Sequence, residues 1–190
     1  PEKLIHHLNE QGSKSENDWM IFDKDVLEMV LEEHNLPKEI KKFMPEKKVS
    51  EFQDVIEQLF GLHPNEHKLI KKVSDTILHL SHIGNVVFVG RGSNIITAEC
   101  RNGLHLRLLD SLENRIINVM NFFKLNRVQA LKLIQTEDKN RKNYIKKYFN
   151  KDIDNPLLYS LVINFESFET EDVILMIINE VQKLKKRTIT

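Results

Sequence analysis

The chain's 190 residues suit one domain, or one domain with a small appendage, and the 41% apolar content is enough for a core. The 28 basic residues balance 28 acidic ones, so no net field draws the chain to nucleic acid. A single cysteine, Cys100, excludes an internal disulfide and points to a reducing, cytoplasmic compartment, and no apolar run approaches the roughly 20 residues needed to cross a bilayer.

The first segment, PEKLIHHLNEQ, is charged and lacks the apolar core of a signal peptide. Leu4, Ile5 and Leu8 fall at helical spacing, and Pro1 suits a first turn, which predicts a helix over about 2–11. A start without Met, inside a helix, leads us to expect a truncated or processed product. GSKSEND reads as a loop, and WMIF, Trp19 to Phe22, as a short strand. DKDVLEMVLEEHNLP follows as a helix, with Val26, Leu27, Val30 and Leu31 on one face and Pro37 as a stop. After the charged connection KEIKKFMPEKK, Ser50 and Gln53 form a capping box that opens the helix EFQDVIEQLFG. NEHKLIKKVSDTILHLSHIG is a longer amphipathic helix ending at Gly84.

The two best strand candidates come next. VVFV at 86–89 is β-branched and unbroken by polar residues, which predicts a strand covered on both faces, as in a parallel sheet. LHLRLLD at 104–110 alternates His105 and Arg107 among leucines, so one of its faces is the less buried. Ser111 caps the helix LENRIINVMNFF, and Asn126 with Gln129 repeats the capping pattern for RVQALKLIQTEDKNRKNYIKKYF. A last strand, SLVINF at 160–165, precedes a C-terminal helix over 171–186. Strands alternating with helices predict a layered α/β domain with a mostly parallel sheet.

Two constellations carry candidate chemistry. In such a sheet ligands bind beyond the carboxyl ends of the strands, and Gly90-Arg91-Gly92 lies at such an end. Glycine permits a tight turn, and arginine presents a planar fork of donors suited to phosphate. The alternative is a glycine turn carrying a solvated arginine. In TEDKNRKNY, Thr136 to Tyr144, Asp138 and Arg141 are three apart and share a helix face. With Lys139, Lys142, Lys146 and Lys147 the segment is locally basic, fit to close over nucleotide phosphates or simply to face water. His79 and His82 share a face but lack a third ligand at a recognisable spacing; they, His6-His7 and HPNEH at 63–67 read as structural, and no metal ligands are assigned. Cys100 reads as a small apolar filler, and KLKKR at 183–187 as a complement to a helix C-terminus.

The order and spacing of these pieces resemble the cytidylate kinase-like family, P-loop nucleoside monophosphate kinases related to bacterial cytidylate kinase. The matching residues are Gly90-Arg91-Gly92, Arg115, Asp138/Arg141/Tyr144, Tyr148-Phe149 and Leu161 to Asn164, with WMIFDKDVLEMV upstream placing Asp23 at the family's acidic position. The resemblance spans roughly residues 1–182 and rests on the set, since no single motif is specific. It implies a three-layer P-loop NTPase-like, nucleoside monophosphate kinase-like α/β fold with a mostly parallel sheet. A single kinase-like domain over 1–190 would carry a helical insertion at about 37–83 and a lid at about 126–150. By the same resemblance Arg91, between Gly90 and Gly92, would hold the acceptor's phosphate, and Asp23 would lie in the acceptor nucleoside's pocket. Arg115 and Arg141 would approach the transferring phosphoryl group, and Asp138 would orient the lid. ATP and Mg²⁺ are the implied cofactors. The implied partner is a nucleotide or small phosphorylated ligand, without nucleic acid or membrane, and homo-oligomerisation stays open.

The 190 residues contain no G-x-x-x-x-G-K-[ST] segment, whose backbone N–H groups and lysine hold the donor phosphates in this family. Two accounts follow: the true N-terminus lies upstream of Pro1, or the protein is a degenerate relative that binds without transferring. A nucleic-acid binder using the basic segment is a third account; the neutral charge and the few aromatics among the lysines weigh against it.

Overall fold

The computed structural model describes residues 1–11, 18–23 and 66–188. The expected loop after residue 11 except Asp18, the expected helix from Asp23 to Pro37 except Asp23 itself, the charged connection, and the helix capped by Ser50 and Gln53 lie outside the described residues, as does most of the expected insertion at 37–83. The chain divides into two compact units, Pro1–Gly103 and Leu104–Thr190.

In the first unit, α1 (Glu2–Gln11) turns Leu8 inward, with Leu4 and Ile5 half-buried, as the sequence spacing predicts. The Asn9 amide clasps the backbone of Trp19: its Oδ1 accepts from the Trp19 N–H at 2.6 Å, and its Nδ2 donates to the Trp19 carbonyl at 3.3 Å. That staple leads into β1 (Met20–Phe22), where Met20 and Phe22 are buried on one side of the pleat. α2 (Glu66–Ile83) buries Val73, Thr76, Ile77 and Leu80, which recur at helical spacing. It stops where Gly84 and Asn85 both take the left-handed conformation, at φ 82° and 55°, with the Gly84 N–H donating to the Leu80 carbonyl at 3.2 Å. β2 (Val86–Phe88) follows and pairs parallel with β1 in the register Met20↔Val86 to Phe22↔Phe88. The Phe22 and Phe88 rings meet edge to face at 6.0 Å. The short helix α3 (Ser93–Ile96) ends this run, and downstream Cys100 lies half-buried with its Sγ 3.5 Å from Ser81 Oγ.

One expectation needs correcting. The apolar run at 86–89 predicts a strand covered on both faces, yet Val86, Val87 and Phe88 are half-buried and Val89 is 41% exposed. Among the described residues β2 pairs with β1 and packs against α2.

The second unit is built on another parallel pair. β3 (Leu106–Leu109) and β4 (Leu161–Asn164) run in the register Leu106↔Leu161 to Leu109↔Asn164. Parallel neighbours need a long crossover, and here it contains a helical hairpin. α4 (Leu112–Phe123) starts at Ser111, whose hydroxyl accepts from the Asn114 N–H. α5 (Arg127–Phe149) starts at a full capping box: Asn126 Oδ1 accepts from the Gln129 N–H at 2.9 Å, and Gln129 Oε1 from the Asn126 N–H at 3.0 Å. Ile116, Ala130 and Ile134 form the seam between the two helices, with Val119, Met120 and Leu131 packed around it. The His105 carbonyl accepts from the Ser160 and Leu161 N–H groups, at 2.7 and 3.1 Å, and pins the entry to β4. α6 (Thr170–Thr188) buries Val173, Ile174, Ile177 and Ile178; it carries Glu171 and Asp172 in its first turn and Lys185, Lys186 and Arg187 in its last, complementing the helix dipole.

Candidate functional site

Parallel strands in register bring their carboxyl ends to the same edge, so the β1–β2 pairing decides what stands together in the first unit. Phe22 faces Phe88, hence Asp23 and Val89-Gly90-Arg91 both leave from that edge. The Val89 N–H donates to the Phe22 carbonyl at 2.9 Å, which carries the ladder to the brink of the turn. Gly90, Arg91 and Gly92 then take three consecutive left-handed conformations, at φ 77°, 54° and 72°. The Ser93 N–H closes the turn on the Gly90 carbonyl at 3.1 Å, and the Ile95 and Ile96 N–H groups both bond the Gly92 carbonyl. A Cβ added at Gly90 would meet nothing within 4 Å, so the glycine is there for its backbone angle rather than for space. Arg91 is held in a region that disfavours L side chains.

In the second unit, Arg115 lies in the first turns of α4, directly beyond the carboxyl end of β3, and Asp138 and Arg141 lie on α5. One oxygen joins them. Asp138 Oδ1 accepts from Arg115 Nη2 at 2.7 Å and also from Arg141 Nη2. Their side chains keep between 32% and 52% exposure, so the group is open to solvent while its geometry is fixed. The Arg115 hydrogen bond holds the Asp138 carboxyl below the usual aspartate range, against partial burial, which raises it; the Arg141 hydrogen bond and the two positive charges add to the lowering. The carboxylate therefore stays ionised, and two guanidiniums against one carboxylate leave an excess positive charge at the site. The Asp138–Arg141 pair is the one expected from spacing, whereas Arg115 joins it across 23 residues through the packing of α4 on α5.

Several partners were not foreseen from sequence. Arg127 and Glu113 form a two-pronged pair between the starts of α5 and α4, with both N···O distances at 2.6 Å, and the Arg127 hydrogen bond lowers the Glu113 pKa. Lys142 Nζ donates to Asp154 Oδ2 at 2.6 Å, and Arg107 Nη2 lies 3.5 Å from Asp154 Oδ1. The only sequence hint was the placement of Arg107 among the leucines of a strand.

The protein's place among known proteins follows from its length-wise pattern. The cytidylate kinase-like family model matches residues 18–167. The chain belongs to the cytidylate kinase-like family. That membership carries a kinase-like function in general terms, and the matched stretch of this cytidylate kinase-like chain contains Asp23, Gly90, Arg91, Gly92, Arg115, Asp138 and Arg141. Among solved structures, an uncharacterized protein from Eubacterium ventriosum shares the fold, with a TM-score of 0.67 at 17% identity over 96% of this chain and 89% of that one. A comparison with curated proteins finds no match. Among the described residues, no helix is long and apolar enough to cross a membrane, and no group of three or more His, Cys, Asp or Glu side chains could hold a metal ion.

Proposed function

We propose that this member of the cytidylate kinase-like family transfers the γ-phosphoryl group of ATP to a cytidylate-like nucleoside monophosphate or another small acceptor, on a P-loop NTPase-like fold. An oxygen of the acceptor's phosphate attacks the γ-phosphorus, and the bond to the departing ADP breaks. Such a reaction needs no protein nucleophile; positioning and charge neutralisation do the work. In this reading Arg91 holds the acceptor's phosphate and Asp23 faces its nucleoside. Arg115 and Arg141 neutralise the transferring group, with Asp138 setting their direction. The donor chemistry fits, because guanidinium forks suit phosphate oxygens. Mg²⁺ in such reactions is held largely by phosphates and water, so it would arrive with the nucleotide. The observation that supports this most is the shared Asp138 oxygen: it orders two arginines from different helices.

A second reading keeps the binding and drops the transfer. It is motivated by the lack of a G-x-x-x-x-G-K-[ST] segment within these 190 residues, which do not themselves supply the usual cradle for donor phosphates. Calorimetry with a panel of nucleoside monophosphates, and separately with Mg²⁺–ATP, tests both on the intact gene product. Binding of a monophosphate and ATP, with ADP formed, supports the kinase. Monophosphate binding alone supports the module, and no binding by a folded protein rejects both. Arg91→Ala should weaken monophosphate binding at least tenfold while leaving the melting curve close to that of the parent protein.

A further inference from the structure

Asp138 is not the only carboxylate of the second unit clasped by cations from two elements. Asp154 is held by Lys142 of α5 and by Arg107 of β3, at 2.6 and 3.5 Å. It is presented by a shaped loop between α5 and β4. The Asp154 N–H donates to Asp152 Oδ1 at 3.1 Å, the Asn155 N–H to the Asp152 carbonyl at 3.1 Å, and the Tyr159 hydroxyl to the Ile153 carbonyl at 2.8 Å. The Arg107 guanidinium also lies 5.9 Å from the centroid of the Tyr159 ring, close enough for a cation–π contact. Arg107 is thus oriented from two sides.

The two clasps divide the anchoring of α5. Its first half is buried against α4 through Ala130 and Ile134, but beyond Ile134 only Ile145 is buried. The turn bearing Asp138, Arg141 and Lys142 lies between, tied to α4 through Arg115 and to the β3 strand through Asp154. A phosphate arriving at Arg141 meets a guanidinium that gives only Nη2 to Asp138 and has further N–H donors to offer, so it pulls on the same side chain from another direction. The first clasp is then loaded at the moment when the helix has to hold still.

We infer that Arg107, Asp154 and Lys142 form a positioning latch that fixes the second half of α5 to β3 and thereby sets where Arg141 stands when it meets a phosphate. The inference rests on the phosphate-binding reading of Arg141. It also gives Lys142 a role apart from the phosphates: its ammonium is already engaged by Asp154, leaving the arginines to meet the ligand. Isolated exposed ion pairs are weak, but a carboxylate shared by two oriented cations on separate elements acts as a small network.

Amide hydrogen exchange on the full chain, first without ligand and then with Mg²⁺–ATP and CMP, tests the latch. In Asp154→Asn, amides 138–149 should exchange roughly two- to five-fold faster, while those of α4 and β4 keep their rates. Asp154→Glu should restore most of the protection, and calorimetric affinity for Mg²⁺–ATP should fall and recover in parallel. Lys142→Met, which leaves Asp154 with Arg107, should show the same local effect and serves if Asp154→Asn folds poorly. Unchanged exchange over 138–149, or acceleration spread evenly through residues 104–188, would overturn the latch. If the parent protein binds no nucleotide, the phosphotransfer reading falls, while the ligand-free exchange comparison still decides whether the latch exists.

Discussion

A carboxylate that accepts from two arginines at one oxygen has a pH signature with a definite sign. The Asp138 pKa is lowered in the folded protein, first by the Arg115 hydrogen bond and then by that from Arg141 and the two charges, against the opposing effect of burial. A lowered folded pKa adds stability above the ordinary aspartate range, and that stability is lost as pH falls through the folded value. At 44% side-chain exposure solvent screens much of the effect, so its worth is about 1 kcal/mol or less. Asp138→Asn should therefore lower the melting temperature by about 2–4 °C at neutral pH. The gap to the parent protein should close as the solution is acidified, because both side chains are then neutral. Melting curves along an acid titration check this; a gap that stays constant into strong acid would show that packing, not charge, sets the role of Asp138.

At the scale of elements, α5 is the instructive case. Over 23 residues it buries Ala130, Ile134 and Ile145, and most of its other positions are polar and exposed. A helix with so little apolar face depends on its ends and its side-chain pairs. Asn126→Ala, which removes the side-chain carbonyl acceptor of the capping box, should cost about 1 kcal/mol, read as a lower urea midpoint with an unchanged slope. The caps were legible in the sequence because they are local: Ser111, Asn126 with Gln129, and the stop at Gly84 each need only their near neighbours. The Asp138–Arg141 pair was legible for the same reason, being one helical turn apart. Arg115 on Asp138, and Arg107 with Lys142 on Asp154, were not, because the packing of α4 on α5 and the β3–β4 pairing create those neighbours. The half-burial of β2 was illegible for a related reason: an apolar run records what a strand can tolerate, not how many strands flank it.

Across the whole molecule, the candidate site residues fall in both compact units, Asp23 and Arg91 in the first and Arg115, Asp138 and Arg141 in the second. Each unit supplies one parallel ladder with charged side chains beyond its carboxyl end, the edge at which layered α/β proteins bind ligands. Within the second unit, the proposed reaction requires Arg115 and Arg141 to act on one phosphoryl group, which makes a claim about energy that a double-mutant cycle can measure. The ligand should be a bisubstrate analogue joining adenosine and cytidine through a polyphosphate, so that binding is read whether or not transfer occurs. Arg115→Ala and Arg141→Ala should each weaken its binding at least tenfold. If both arginines grip the same polyphosphate, loss of one lets the ligand shift, and the double variant should depart from the summed single losses by roughly 0.5–3 kcal/mol. Strict additivity, within about 0.5 kcal/mol, would mean that the two arginines act at independent places and share no phosphate.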